Sequence, residues 1–201
     1  MNKLETIAKL YDDRVKNLGY SAQAVGWKSE RQQELRFEIL VSNQNISNSI
    51  VLDIGCGFGD FLKFLHSQNI SPLKYIGIDI SDEVLKIAEK VHSDDENVIF
   101  LKRDLMAGGN ELVDFAVASG SLNYRLQTDM NSYLDSFIQL YEPRVKCGLL
   151  LNFLSTKVDF MQNQHAHYSP EYVKNLFKKY FRHVTLLEDY GLYEFTIQAL
   201  K

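Results

Sequence analysis

A run of alternating glycines behind a single acid is the part of this sequence best suited to binding a ligand. The segment Ile50–Leu62 begins with apolar, β-prone residues around Asp53, continues with three glycines at every second position, and ends with apolar residues at helical spacing. Short apolar runs of this kind are typical of strands buried in a parallel sheet. Glycine permits both a sharp turn and the close approach of a ligand. We therefore expect a strand, a ligand-binding turn and a helix that begins near Phe58 and points its free N–H groups at the ligand.

A second acid stands at the distance expected of a ribose-binding carboxylate. Tyr75–Asp79 is another β-prone run, and Asp79 follows Gly59 by twenty residues (79 − 59). An acid about twenty residues beyond a glycine turn is typical of nucleotide-binding units, because its carboxylate accepts hydrogen bonds from both ribose hydroxyls. The two features together predict a nucleotide-like ligand at the carboxyl ends of two neighbouring strands.

Two classes of ligand use a strand, a glycine turn and a helix in this way. The dinucleotide fingerprint G-x-G-x-x-G/A requires a small third residue, and that position is Asp60 here. Its carboxylate would face a pyrophosphate, and its side chain would obstruct close packing of helix and strand. The pattern Asp53-x-Gly55-x-Gly57-x-Gly59 instead closely resembles motif I of the class I S-adenosylmethionine-dependent methyltransferases. A cationic sulfonium ligand with an ammonium group tolerates nearby acids better than a diphosphate does.

The resemblance extends from about residue 50 to the C-terminus and implies the fold. We expect an α/β protein, a three-layer αβα sandwich with a mostly parallel seven-stranded sheet and a C-terminal antiparallel hairpin. The pattern of the chain agrees, since His183–Leu187 and Leu192–Leu200 both read as strands and a short turn separates them. Ordinary dinucleotide-binding domains usually end with a parallel sixth strand instead.

The first forty-eight residues precede the nucleotide-binding pattern and form a separate unit in this prediction. Lys3–Asn17 and Glu30–Leu40 have the apolar spacing of helices. We assign residues 1–48 to an N-terminal helical extension and residues 49–201 to the methyltransferase domain that binds S-adenosylmethionine. In similar methyltransferases such an extension often lies over the cofactor cleft as a lid.

The resemblance also implies which residues bind the cofactor. Asp79 would hold the ribose, Asp104 would lie beside the adenine amino group, and Leu105 would pack on the base. Ligands of open α/β sheets lie near the switch point of the strand order, which places Ser119 and Gly120 beside the methionine part of the cofactor. The complete predicted set is Asp53, Gly55, Cys56, Gly57, Phe58, Gly59, Asp79, Ile80, Asp104, Leu105, Ser119 and Gly120.

Candidate catalytic residues come from the later loops. Tyr124 follows the fourth predicted strand, near the expected position of the reacting methyl group. The polar connection Ser155–Ser169 contains His165 and His167 and leaves the end of a central strand, where active-site loops lie. Any of these three side chains could act as a general base for a protonated acceptor, although an exposed loop position explains the histidines equally well. No third ligand stands at a spacing typical of metal sites, so we expect no metal.

The resemblance implies methyl transfer from S-adenosylmethionine to an O- or N-nucleophile of a small molecule by in-line displacement, with S-adenosylhomocysteine as product. The [Asn/Asp]-Pro-Pro-[Tyr/Phe] signature of many DNA and protein amino-methylating enzymes is absent after the fourth strand, which disfavours those substrates. Two alternatives stay open. One is a nicotinamide-dependent oxidoreductase, disfavoured by Asp60 and the terminal hairpin, and the other is a non-catalytic binding or regulatory protein of the same fold.

Composition narrows the partners. The 201 residues carry a net charge of −4, whereas nucleic-acid binders usually have a basic surplus. The 45% apolar and 24% charged residues are ordinary values for a globular protein. The sequence shows no signal peptide and no apolar run approaching the roughly 20 residues of a membrane span. We expect a soluble cytoplasmic protein without nucleic-acid or membrane partners, and the sequence leaves its oligomeric state open.

Overall fold

Helices and strands alternate along most of the chain, as expected for a sheet built from parallel strands with helical crossovers. The structure is a computed structural model, and it describes residues 3–201, so the first two residues of the predicted extension lie outside it. The helices are α1 (Lys3–Leu18), α2 (Glu30–Leu40), α3 (Asp60–Ser67), α4 (Asp82–Val91), α5 (Met130–Tyr141) and α6 (Pro170–Phe177). The strands are β1 (Ile50–Ile54), β2 (Lys74–Asp79), β3 (Val98–Lys102), β4 (Val113–Ser119), β5 (Val145–Ser155), β6 (His167–Tyr168), β7 (His183–Leu187) and β8 (Glu194–Leu200).

The sheet has the strand order β3-β2-β1-β4-β5-β8-β7, with β6 beside β5. Neighbouring strands from β3 to β5 pair in parallel, whereas β8 runs antiparallel to both β5 and β7. This arrangement confirms the predicted fold class, including the antiparallel pair at the C-terminus. The carboxyl ends of β1, β2, β4 and β5 therefore lie along one edge of the sheet, where the candidate site residues were expected.

The two-residue strand β6 was not predicted. Strand β4 ends at Ser119, which pairs with Asn152, while β5 continues to Ser155. The last residues of β5 therefore have no partner in β4 on that side of the strand. There, His167 of β6 pairs with Leu154. The connection Ser155–Ser169, called the late loop below, therefore pairs with the free edge that β5 has beyond the end of β4. Hydrophobic periodicity alone does not predict this pairing.

Both faces of the sheet are covered by helices, which gives three layers. Along β5, Leu149 and Leu151 belong to the larger core with α5 and α6, whereas Leu150 belongs to the core that α2 and α3 contribute to. This alternation follows from the two-residue period of a strand. A strand buried on both faces reads as a continuous apolar run, as β5 does.

The two helices of the N-terminal extension have different surroundings. Helix α2 buries Phe37 and Leu40 in the core beneath the sheet. Helix α1 lies outside that core and packs on α4, where Val15 joins a small cluster with Phe58 and Val84. None of the helices within residues 3–201 combines the length and the apolar character needed to cross a membrane.

Candidate active site

A cavity of about 360 Å³ lies at the carboxyl ends of β1, β2 and β4, between the sheet, α1 and the connection from α1 to α2. Its size falls in the range of small-molecule sites. The predicted cofactor-binding residues in its lining are Asp53, Gly55, Cys56, Gly57, Asp79, Ile80, Leu105, Ser119 and Gly120. Two of the three candidate catalytic residues, Tyr124 and His165, line the same cavity. The structure therefore brings the two predicted halves of the site together in one space.

Four of the predicted site residues lie outside this lining. Phe58 is fully buried beneath the glycine turn, and Gly59 is the residue that caps α3. The Asp104 carboxylate accepts a hydrogen bond of 2.9 Å from the Met106 N–H. His167 lies in β6, where its Nδ1 atom is buried without a hydrogen-bond partner among residues 3–201.

The glycine turn is longer than predicted, so α3 begins at Asp60 rather than near Phe58. Gly55, Gly57 and Gly59 all have positive φ values, which side-chain-bearing residues rarely adopt. At Gly55 a Cβ atom would also lie 2.5 Å from the Cβ of Ser121. Close contact between the turn and the segment after β4 therefore requires glycine here.

Asp79 is held at the end of β2 by backbone donors. The Gly57 N–H donates to one carboxylate oxygen at 3.1 Å and the Ser81 N–H to the other at 3.0 Å. Burial raises the pKa of Asp79, and these backbone hydrogen bonds oppose that rise. Each oxygen accepts more than one hydrogen bond, so both keep capacity for a ligand hydroxyl. The position and acceptor chemistry suit the predicted contact with a ribose.

Asp53 is buried at the base of the turn and paired with a side chain that sequence reasoning missed. The Tyr75 hydroxyl, from the start of β2, donates a hydrogen bond to it. Burial raises the pKa of Asp53 to about 7, the hydrogen bond from Tyr75 opposes the rise, and the charge of Asp79 adds to it. Tyr75 shows no sequence signal beyond a strand position, because its role depends on the parallel pairing of β1 and β2.

A buried ion pair closes another wall of the cavity. The Arg36 guanidinium donates to both carboxylate oxygens of Glu194, with an Nε–Oε2 distance of 2.8 Å. The same guanidinium lies 4.4 Å from the ring centroid of Trp27. Trp27 in turn lies over Gly120, where a Cβ atom would come within 2.6 Å of the indole. Arg36 therefore has an internal carboxylate partner and is not free to bind a ligand carboxylate through that face.

Aromatic residues form the wall under α1. Tyr11 contacts Tyr124 edge-to-face with ring centroids 6.0 Å apart, and Tyr124 contacts His165 in the same way at 5.7 Å. Asp12 fastens α1 to α4 by accepting a 2.6 Å hydrogen bond from the Ser81 hydroxyl. Burial, with smaller effects from the charges of His167 and Arg14, lowers the pKa of His165. The lowered pKa favours the neutral form of His165, which can accept a proton.

Comparisons with known proteins agree with this geometry. Residues 52–147 match the family described as Methyltransferase domain. A Mycobacterium tuberculosis protein that is named a methyltransferase, Rv1506c, is 31% identical to this chain over 155 residues, which cover 74% of this chain and 91% of that protein. The chain therefore belongs to the class I S-adenosylmethionine-dependent methyltransferase family, with its Rossmann-like fold.

Solved structures show the same fold at low sequence identity. The magnesium protoporphyrin IX methyltransferase of Synechocystis PCC 6803, with bound S-adenosylhomocysteine, superposes with a TM-score of 0.69 and 14% identity, covering 98% of this chain and 99% of that one. The N-methyltransferase NodS of Bradyrhizobium japonicum, also with S-adenosylhomocysteine, superposes with a TM-score of 0.66 and 15% identity, covering 100% of this chain and 98% of that one.

Proposed function

We propose that this protein transfers a methyl group from S-adenosylmethionine to an O- or N-nucleophile of a small molecule bound in the cavity under α1. The observation that carries the proposal is that one cavity is lined both by most of the predicted cofactor-binding residues and by Tyr124 and His165. Family membership supports the reaction class. The superposed structures, both with bound S-adenosylhomocysteine, support the choice of cofactor.

The chemistry of the lining fits this cofactor. Asp53 and Asp79 present two carboxyl groups at the glycine turn, which suits hydroxyl donors and an ammonium group and opposes a pyrophosphate. The Ser121 hydroxyl is buried in the lining without a hydrogen-bond partner among residues 3–201, and buried polar atoms usually have one. A polar ligand in the cavity would supply that partner. These acidic groups give no support to the nicotinamide alternative, because its cofactor contains a pyrophosphate.

S-adenosylmethionine supplies a methyl group activated by a positively charged sulfur. In our proposal Asp79 holds the ribose hydroxyls, Asp53 presents its buried carboxyl group at the turn, and Asp104 and Leu105 lie on the adenine side. The remaining work of the chain is to orient the acceptor and exclude water, since holding two reactants in line accounts for much of the rate of such a transfer. The walls formed by Trp27 and by α1 suit that role.

We assign proton transfer, where the acceptor needs it, to His165. Its lowered pKa favours the neutral form, and it lies against Tyr124 in the cavity wall. His167 is less favoured because it lies outside the lining, and Tyr124 would serve to orient the acceptor. We further propose that the lid consists of α1 with its connection to α2, because α2 itself belongs to the core.

Calorimetric titration with S-adenosylhomocysteine and with NAD tests the proposal. We expect binding of S-adenosylhomocysteine and none of NAD, because the acids at the turn oppose a pyrophosphate. Binding of NAD alone would contradict it. Transfer of radiolabelled methyl from S-adenosylmethionine to a panel of small phenols, amines and carboxylic acids then tests catalysis. A protein that binds the cofactor product and methylates no member of the panel would favour the non-catalytic alternative.

A further inference from the structure

The two sides of the cavity differ in charge. In the strand order, β1 and β2 lie on one side of β4; β1 carries buried Asp53 near its end, and β2 ends in half-buried Asp79. On the other side, Tyr124 follows β4 and His165 precedes β6, which pairs with β5. Helix α1 packs on α4 through Val15 and reaches this second side through Tyr11, which contacts Tyr124. Its Arg14 also lies in the lining. Asp53 and Asp79 thus lie towards the glycine turn, whereas Arg14 and His165 lie towards the late loop.

Four basic side chains line the cavity, and two of them have acidic partners inside the protein. Arg36 pairs with buried Glu194, and Arg103 donates to both carboxylate oxygens of Glu111 at 3.0 and 2.6 Å. Lys28 is exposed at the rim. Arg14 remains as the one arginine of the lining that has no carboxylate partner among residues 3–201.

Arg14 is half-buried and held in place by aromatic packing rather than by an acid. Its guanidinium lies 5.6 Å from the centroid of the Tyr11 ring, and a Cβ atom on Gly26 would come within 3.5 Å of it. Burial, with smaller effects from the charges of His167 and Arg14, lowers the pKa of neighbouring His165, which favours the neutral form of that ring. Taking a charged group partly out of water costs free energy unless an opposite charge accompanies it. A ligand anion would supply that charge here.

We propose that the methyl acceptor carries a carboxylate that binds Arg14, with an apolar or aromatic body against Tyr11 and Tyr124. The planar fork of a guanidinium matches one carboxylate through two parallel hydrogen bonds. A doubly charged phosphate calls for further cations, and the other arginines of the lining already have partners. This inference rests on the proposed function, because it names the class of acceptor for the same site.

Matched pairs of acids and amides test this inference on the full chain saturated with S-adenosylhomocysteine. We would titrate 4-hydroxybenzoate against 4-hydroxybenzamide, and indole-3-acetate against indole-3-acetamide. Each pair keeps size and aromatic surface and changes only the charge. We expect each acid to bind roughly tenfold more tightly than its amide, the value of about one charge-assisted hydrogen bond. Arg14→Gln should abolish this preference.

Arg31→Gln is the matched control, because Arg31 is an exposed arginine of α2 that pairs with Glu38. It should keep the preference of the wild-type protein. Equal binding of acid and amide by the wild type, binding of neither, or an unchanged preference in Arg14→Gln would each overturn the inference. So would a fall in affinity for S-adenosylhomocysteine itself in Arg14→Gln, which would assign Arg14 to the cofactor. Failure of the wild type to bind S-adenosylhomocysteine would instead overturn the proposed function, so the two failures are distinguishable.

Discussion

The two sides of the cavity are assembled in different ways. On the glycine-turn side, Asp53 and the three glycines lie within seven residues of chain (53–59), and Asp79 is joined to Gly57 across only 22 positions. On the opposite side, the ion pair of Arg36 and Glu194 joins residues 158 positions apart. The first side depends on local backbone geometry, whereas the second depends on tertiary packing that brings the two ends of the chain together.

This difference has a consequence for specificity. The glycine-turn side is built from a short motif, so it binds the same class of ligand as long as the motif is intact. A side built from α1, α2, the late loop and β8 changes whenever any of these segments changes, without disturbing the turn. We infer that cofactor binding resides on the first side and the choice of acceptor on the second, since binding sites commonly sit on loops held by a rigid scaffold.

The largest effect should come from removing helices of the second side. Deletion of residues 1–40 should abolish cooperative thermal unfolding, because it removes Phe37 and Leu40 from the core and the backbone acceptors of the buried Gln198 amide. Loss of each large apolar side chain costs about 2–5 kcal/mol, which together rivals the stability of a typical domain. Circular dichroism during heating would measure this.

Deletion of residues 1–18 is the matched control. It removes α1 alone and should leave a folded protein without methyl transfer, because the wall that carries Tyr11 and Arg14 is lost while the central sheet is intact. If the longer deletion unfolds cooperatively at the wild-type temperature, α2 is not part of the core and the whole extension acts as the lid.

The next effect should come from the buried ion pair. Glu194→Ala leaves the Arg36 guanidinium buried without its partner, which should lower the free energy of unfolding by about 3–5 kcal/mol. Glu38→Ala breaks the exposed pair with Arg31 and should cost less than about 1 kcal/mol. Urea denaturation of both variants measures the contrast. Similar losses in the two variants would show that the Arg36 pair is hydrated and that this wall of the cavity is open to water.

The fold was largely predictable because its signals are local. The apolar runs, the glycine turn and caps such as Ser81, whose hydroxyl accepts a hydrogen bond from the Val84 N–H, each act within a few residues. Strand β6 was missed because two residues carry no periodicity and their pairing depends on where β4 ends. The start of α3 was placed too early because the left-handed conformation of Gly59 is not encoded in apolar spacing.

The candidate site was more predictable on the glycine-turn side than on the opposite side, where only Tyr124 and His165 were predicted. The acids and glycines of the turn were recognisable by residue type and spacing, and the structure places most of them in the lining of one cavity. Glu194 reads as an ordinary strand residue, and Tyr75 as an apolar one, because nothing near them in sequence indicates their partners. Arg14 falls in an amphipathic helix, where a basic residue normally faces water, so its place in the cavity follows only from the packing of α1.

A moderate effect is expected on the glycine-turn side. Asp79→Ala should weaken binding of S-adenosylhomocysteine by about 1–3 kcal/mol, because it removes a charge-assisted acceptor for the ribose hydroxyls. Asp82→Ala is the control, since Asp82 is an exposed acid of α4 that pairs with Lys102. Calorimetric titration compares the two. Unchanged affinity in Asp79→Ala would remove the ribose assignment and with it the claim that this side alone determines the cofactor.

The last prediction concerns the pH dependence that the acid at the base of the turn gives to stability. The folded protein holds a proton on Asp53 up to a pKa of about 7, whereas the unfolded chain releases it near the usual value of 3.8. The contribution of this group to stability is therefore complete below pH 4 and is lost as pH rises towards 7, by at most about 1.4 kcal/mol per pH unit. Asp53→Asn should flatten this decline between pH 5 and 7, measured by urea denaturation. Part of the decline should persist, because burial also raises the pKa of Asp79.

Asp94→Asn, at an exposed loop acid, should keep the wild-type dependence on pH. If Asp53→Asn shows the same dependence as the wild type, Asp53 ionises near its usual pKa and is charged throughout this range. The glycine-turn side would then carry full negative charge before any ligand binds. The difference in charge between this side and the Arg14 side would then be larger than the raised pKa of Asp53 implies. The attraction of a cationic cofactor to the turn would not depend on pH near neutrality.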